Sequence, residues 1–272
     1  GLLESPCHQR GTMSCVSCHS MHKSDPNDQL ASGMRTNKAC LQCHKEMSDN
    51  VSAHTLHSVN SAGSNCYNCH MPHTSYGLLK AIRSHTIETP NVETTLETGR
   101  PNACNLCHLD KTLDWTAEHL AKRTKKPKTN VPNIHKTTAA SVVWLLNGDA
   151  GQRAIAAWHM GWEPALLASG TSWQTPILAD SLNDPYSAVR YIANKAILKQ
   201  PGFDSFKFDF VADDAERLEK QKKAMEIWLN SEKNNLPTPS DAVLLNDEGL
   251  RQKKKVKDLI NTRNNRSMRL RE

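Results

Sequence analysis

The sequence predicts a mainly α-helical chain in two parts: a front with little regular structure and a back of short amphipathic helices. Three observations carry that prediction. All nine cysteines lie at or before Cys107, and ten of the thirteen histidines at or before His108, in a chain of 272 residues. From Thr137 onward, apolar residues recur at helical spacing. Aromatic residues make up only 5%, thin for a conventional core, so something other than side chains is expected inside the front. Length gives a prior of about two domains at roughly 150 residues each.

Charge divides the chain too. Residues 1–110 carry 8 Lys/Arg against 9 Asp/Glu, residues 111–250 carry 17 against 17, and residues 251–272 carry 9 against 2. The overall +6 therefore belongs to the end of the chain. No apolar run approaches the ~18 residues of a membrane helix. Gly1-Leu2-Leu3-Glu4 shows no basic region followed by an apolar stretch, so no signal peptide is visible.

The front holds four copies of one pattern: Cys15-Val16-Ser17-Cys18-His19, Cys40-Leu41-Gln42-Cys43-His44, Cys66-Tyr67-Asn68-Cys69-His70 and Cys104-Asn105-Leu106-Cys107-His108. CXXCH is the attachment signature of a c-type haem. Two thiols on one turn add to the two vinyl groups, and the adjacent imidazole coordinates the iron. At the chain's own histidine frequency, a His after all four CXXC pairs has chance odds on the order of 10⁻⁵ to 10⁻⁶. Four covalently attached haems are expected, with His19, His44, His70 and His108 proximal. Two four-thiolate zinc sites are the first alternative, but zinc ribbons need no His after each second Cys. Disulfides are the second, and repeated CXXC bridges are strained and redox-active. Cys7-His8 is a fifth such pattern lacking its first cysteine, which leaves Cys7 as a thiol or a single-thioether site.

Low-spin haems take a second strong ligand, and nine histidines remain to supply it. His22 stands three residues after His19, and His73 three after His70; neither reaches the far face of its own haem, so each would serve a neighbour. His54 and His57 share one face if helical, and His85 follows Ile82-Arg83-Ser84. His22, His54, His57 and His85 are the leading distal candidates, with His8 and His73 behind them. His119, His135 and His159 are expected to be solvated. Met13, Met21, Met34, Met47 and Met71 offer axial sulfurs, but methionine is more often filler beside a porphyrin. A compact stretch of ~110 residues has a radius of gyration near 13–14 Å. Four haems in that volume lie within tunnelling range, and their eight propionates make the front acidic.

The front is expected to run to residue 121, followed by a linker over 122–136 marked by Lys122–Pro132 (KRTKKPKTNVP). A helical part over 137–236 begins with Val142, Val143, Leu145 and Leu146, then Ile155, Ala156 and Trp158. A second pair holds Ile177, Leu178 and Leu182, then Val189, Ile192, Ala193, Ala196 and Ile197, its second helix opened by Asp184 as N-cap and Pro185. Spacings of 35 residues from Asp149 to Asp184 and 37 from Arg153 to Arg190 suit paired helices of the HEAT kind. A third helix is expected over about Asp214–Asn230. Beyond Pro237 and Pro239 a basic tail runs over 237–272, with Lys253-Lys254-Lys255, Arg263, Arg266, Arg269 and Arg271. It reads as a solvated helix or disordered end, ahead of a binder of an acidic partner, anionic lipid or nucleic acid, or an intermolecular clamp on a propionate-rich haem domain.

Several stretches sharpen the picture: Ser5-Pro6-Cys7-His8-Gln9-Arg10-Gly11 leading to Cys15, Cys69-His70-Met71-Pro72, Arg83-Ser84-His85, Arg100-Pro101-Asn102-Ala103-Cys104, Trp158-His159-Met160-Gly161-Trp162 and Asp184-Pro185-Tyr186-Ser187-Ala188-Val189-Arg190. The chain resembles large secreted bacterial multihaem cytochromes c in which a haem domain precedes HEAT-like helical repeats. The resemblance implies electron transfer, and a periplasmic, cell-surface or extracellular location because haem c is attached outside the bacterial cytoplasm. It also implies redox partner proteins or other multihaem cytochromes as partners, with a homo-oligomer or cytochrome filament as one form. Members usually carry further motifs upstream, so the start at Gly1 points to a fragment or a processed chain. No nucleic-acid partner is expected.

Two functions compete. The first is an electron-transfer protein with every iron capped and no catalytic residue. The second is a multihaem oxidoreductase with one open haem that acts on a small nitrogen or sulfur compound. An enzyme of that kind must leave an iron position open, and pentahaem nitrite reductases commonly use a CXXCK haem, which this chain lacks. Nine spare histidines can cap four irons, so ligand supply favours electron transfer.

Overall fold

A computed structural model describes residues 1–22, 24–231 and 240–268. The chain divides into two compact units, one formed by 1–73 with 83–90 and the other by 74–82 with 91–272. The fourth CXXCH motif therefore folds with the helical part, and the first unit holds three.

The first unit has four short helices, α1 (Pro6–Gln9), α2 (Lys38–Leu41), α3 (Val51–Thr55) and α4 (Cys66–His70), separated by single 3₁₀ turns and loops. The Ser5 hydroxyl caps α1 by accepting from the Cys7 N–H at 3.2 Å, with Pro6 in the first turn. Its loops are tied by polar contacts. Arg35 spans Asp25 and Asp28 at 2.9 and 2.8 Å. Asn37 accepts from the Cys66 N–H at 2.9 Å and donates to the Ser64 carbonyl at 2.8 Å, so it joins the second motif to the third. Among its described residues no hydrophobic side chain is buried; the buried ones are Ser5, Ser64, Asn68 and Ser84. A unit of this size ordinarily needs a buried apolar core, and its own side chains do not make one.

The second unit is conventional. A hairpin of β1 (Ser75–Gly77) and β2 (Lys80–Ile82) pairs Tyr76 with Ala81. There follow α5 (Val92–Thr98), α6 (Leu113–Thr124), α7 (Ile134–Thr137), α8 (Ala140–Asn147), α9 (Ala150–His159), α10 (Glu163–Ser169), α11 (Thr175–Ser181), α12 (Ser187–Ile197), α13 (Asp214–Ser231) and α14 (Lys253–Asn261). Thr112 caps α6 by accepting from the Trp115 N–H, and Asp149 and Gln152 form a capping box on α9. Seven of the eight residues of α8 are buried, so it is the core of this unit. It packs on α9 and α11, while α9 also packs on α12 and the hairpin.

Four features depart from the sequence expectations. The 122–136 stretch is helical at both ends, since α6 runs to Thr124 and α7 starts at Ile134. Helix α12 begins at Ser187 rather than after an Asp184 cap. Asp184 is instead buried and takes a bidentate pair from Arg153, Nε at 2.6 Å and Nη2 at 3.0 Å. Neither His135 nor His159 is solvated: His135 is half-buried, and His159 is buried, its ring edge-on to both Trp158 and Trp162.

The fourth departure is the basic tail. Val243, Leu244, Leu245 and Val256 are core residues, and α14 packs on α8. Arg263 reaches Asp184 at 3.4 Å, Arg266 reaches Asp149 at 2.8 Å, and the Met268 N–H donates to the Tyr186 hydroxyl at 2.9 Å. The sequence reading weighed only the charges. The apolar stripe Val256, Leu259 and Ile260 between the lysines is what docks this segment. Pro237, Pro239, Arg269 and Arg271 lie outside the described residues. No described helix is long and apolar enough to cross a membrane.

Candidate metal centre

All four CXXCH motifs adopt one turn. The first is the 3₁₀ turn Cys15–Ser17, the second lies on and just after α2, the third is α4, and the fourth is the 3₁₀ turn Cys104–Leu106. The His N–H donates to the first Cys carbonyl at 2.9 Å in the first, second and fourth motifs. A turn of this kind lets two thiols and the adjacent imidazole reach one porphyrin. The nine cysteines form no disulfide. Among the described residues no three His, Cys, Asp or Glu side chains converge as a metal cluster.

The histidine rings are held by their second nitrogen. His19 Nδ1 lies 2.9 Å from the Asp28 carbonyl oxygen and His70 Nδ1 lies 3.0 Å from that of Glu88. His8, His57 and His85 make the same contact to Met13, Thr55 and Arg83, at 2.8, 2.7 and 3.1 Å. A carbonyl only accepts, so Nδ1 carries the proton and Nε2 is the unprotonated nitrogen in each. Asp28, whose carbonyl holds His19, is itself fixed through Arg35. Asp25, in the same loop, has its carboxyl held below the usual range by the Asn27 backbone N–H above all, with Arg35 adding to it.

Two pairs of histidine rings lie close together. His19 and His85 have centroids 6.2 Å apart, and His54 and His70 have centroids 6.1 Å apart with planes only 20° from parallel. A metal–imidazole bond of about 2.0–2.1 Å on each side of one iron puts two ring centres roughly 6–6.5 Å apart. The donor set and its spacing therefore fit haem iron. Of the other candidates, His22 is exposed, flanked by backbone contacts to Ser20, and His73 is half-buried just after α4. His57 lies flat on Gly63, where any Cβ would collide with the ring. His44 is exposed, with Nδ1 3.5 Å from Glu46. In the fourth motif, His108 sits 5.1 Å from Trp115, centroid to centroid.

The thiols of neighbouring motifs also meet. A hydrogen bond with Cys40 pulls the Cys66 thiol down to about 7, and the same contact with burial pushes Cys40 up. Burial, then Cys43, raises Cys18. Arg83 was not among the candidate site residues. Its guanidinium donates to the Tyr67 and Met71 carbonyls at 3.0 and 3.1 Å and to Asn68 Oδ1 at 2.8 Å, and stacks 4.3 Å over the Tyr67 ring. It locks the two middle residues of the third motif while leading the chain to His85. A lone arginine beside a candidate ligand was the only signal in the sequence.

The doubled CXXCH motif family matches residues 6–49. Over 112 residues the chain is 24% identical to a protein named multiheme cytochrome MtrA from Shewanella baltica (strain OS185). That match covers 41% of this chain and 29% of the relative's length. No solved structure matches the chain. The doubled motif and this likeness together support a multihaem c-type cytochrome with covalently bound haem c.

Proposed function

We propose that the chain transfers electrons along four haems c, one on each CXXCH motif, with two of the irons capped by the pairs His19/His85 and His70/His54. The observation that carries this reading is the 6.2 and 6.1 Å spacing of those imidazole couples. Cys15, Cys18, Cys40, Cys43, Cys66, Cys69, Cys104 and Cys107 hold the porphyrins, and His19, His44, His70 and His108 are proximal. His8, His22, His57 and His73 are the remaining distal candidates in the first unit. Bound haem supplies a one-electron ferric/ferrous couple. The protein's part is to present Nε2, with Nδ1–H of His19, His70 and His85 anchored on carbonyls, which makes the imidazole a stronger donor. A capped iron has no position for substrate, so the reading is transfer rather than catalysis.

The haem-bearing region extends over 1–121 in function, although the fourth motif folds with the helical unit. Helices α8 with α9 and α11 with α12 serve as two HEAT-like pairs, supported by the stacking of α8 on α11 and α9 on α12. The protein works outside the cytoplasm, in a periplasmic or extracellular redox chain, complex or filament, with other cytochromes as partners. Peptide mass spectrometry of the exported protein tests the reading. Four peptides, containing Cys15–His19, Cys40–His44, Cys66–His70 and Cys104–His108, are expected to carry one haem each. Unmodified cysteines in these peptides contradict it.

A further inference from the structure

Helix α6 joins the fourth motif to the most basic stretch before the chain's end. Trp115 and His119 stand one turn apart on it. The rings of His108, Trp115 and His119 form a file, with centroids 5.1 Å apart at the first step and 4.2 Å at the second. His108 and Trp115 are half-buried and His119 is exposed. The buried residues of α6 are Leu113, Thr116 and Ala117, so this file runs along the side of the helix away from the core. His119 Nδ1 lies 2.9 Å from the Trp115 carbonyl oxygen, which holds the ring against its own helix. At the end of α6, Lys122, Arg123, Lys125, Lys126 and Lys128 are all exposed, and residues 122–128 contain no acid. Glu118 pairs with Lys122 and Asp114 with Lys128, both at 2.7 Å.

We propose that this face is an electron port, where an acidic redox protein docks on the cation cluster and exchanges one electron with the iron held by His108 along Trp115 and His119. The proposal rests on His108 being a haem ligand. The file leaves only ring-to-ring steps between that ligand and an exposed side chain. Five cations against three acidic neighbours, Glu118, Asp114 and Glu93, favour an anionic partner, steering it at low salt and fixing its orientation. In the inward direction one electron leaves the partner's reduced centre and the ferric iron becomes ferrous, with no bond made or broken and no proton required.

Two probes of opposite purpose test this on the full chain. Redox-inert, paramagnetic hexacyanochromate(III) is expected to broaden the NMR resonances of the Trp115 indole and His119 in the reduced protein. The triple variant Arg123→Glu, Lys125→Glu, Lys126→Glu abolishes that broadening. Oxidation of the reduced protein by hexacyanoferrate(III) is expected to slow by an order of magnitude in the triple variant at low salt, and the difference closes at high salt. Trp115→Leu slows the reaction while the chromium probe still binds, and Trp115→Phe restores the rate. Broadening centred on another surface, or a rate indifferent to both the charge reversal and Trp115→Leu, overturns the port. Loss of the haem reading looks different: the Cys104–His108 peptide carries no haem mass while the anion probe still binds.

Discussion

His85 is exposed in a segment without helical or strand periodicity, yet its ring stands 6.2 Å from His19, and His54 stands equally close to His70. Ligand chemistry was legible in the sequence because CXXCH is local. The pairing was not, because it depends on loops held by Arg35, Asn37 and Arg83, whose contacts leave no periodic trace. His159 was misjudged for a related reason: a lone histidine reads as polar until its neighbours Trp158 and Trp162 are seen to enclose it. At this scale the prediction is specific. His85→Ala and His54→Ala are each expected to open one iron to carbon monoxide, seen as a partial Soret shift, and the double variant two. His119→Ala opens none. If the single variants bind no carbon monoxide, these pairs do not cap irons.

Helices in the second unit followed their apolar periodicity, and α8, α9, α11, α12 and α13 lie where that period puts them. What the pattern missed are side chains that serve packing. Asp184, fit for a helix cap, is buried against Arg153 and within reach of Arg263. Asp184→Asn leaves Arg153 buried without its carboxylate, so it is expected to cost about 3–5 kcal/mol. The check is denaturant unfolding of the second unit, with the haem absorbance unaltered. Truncation before Ser240 removes four core residues, Val243, Leu244, Leu245 and Val256. Cooperative melting of the second unit is expected to be lost, whereas a solvated tail could be cut without effect.

Burial lowers the pKa of His135 from its ordinary 6.5. The unfolded chain therefore binds more protons between the folded value and 6.5, and stability rises with pH across that window. Above 6.5 the contribution is complete; it is lost as pH falls through the window. His135→Gln is expected to flatten this part of the stability–pH curve, measured by urea midpoints.

At the scale of the molecule, the contrast between the units is the main result. The second has a continuous apolar core; the first buries only Ser5, Ser64, Asn68 and Ser84 among its described residues. The low aromatic content pointed to a front without a conventional apolar core, but composition could not show that the fourth motif folds with the helices. If haem is the core of the first unit, replacing all eight motif cysteines by serine leaves it unfolded. Limited proteolysis is then expected to degrade residues 1–73 rapidly and spare a helical body from about Asn91 onward. Equal resistance of both parts contradicts that account.

The most direct measurement is the visible spectrum of the dithionite-reduced protein before and after carbon monoxide. The account predicts sharp low-spin c-type bands that carbon monoxide leaves unchanged, because every iron carries two strong ligands. A shift in the share of Soret intensity belonging to one iron in four would contradict a fully capped electron carrier, and the absence of a Soret band would contradict haem binding altogether.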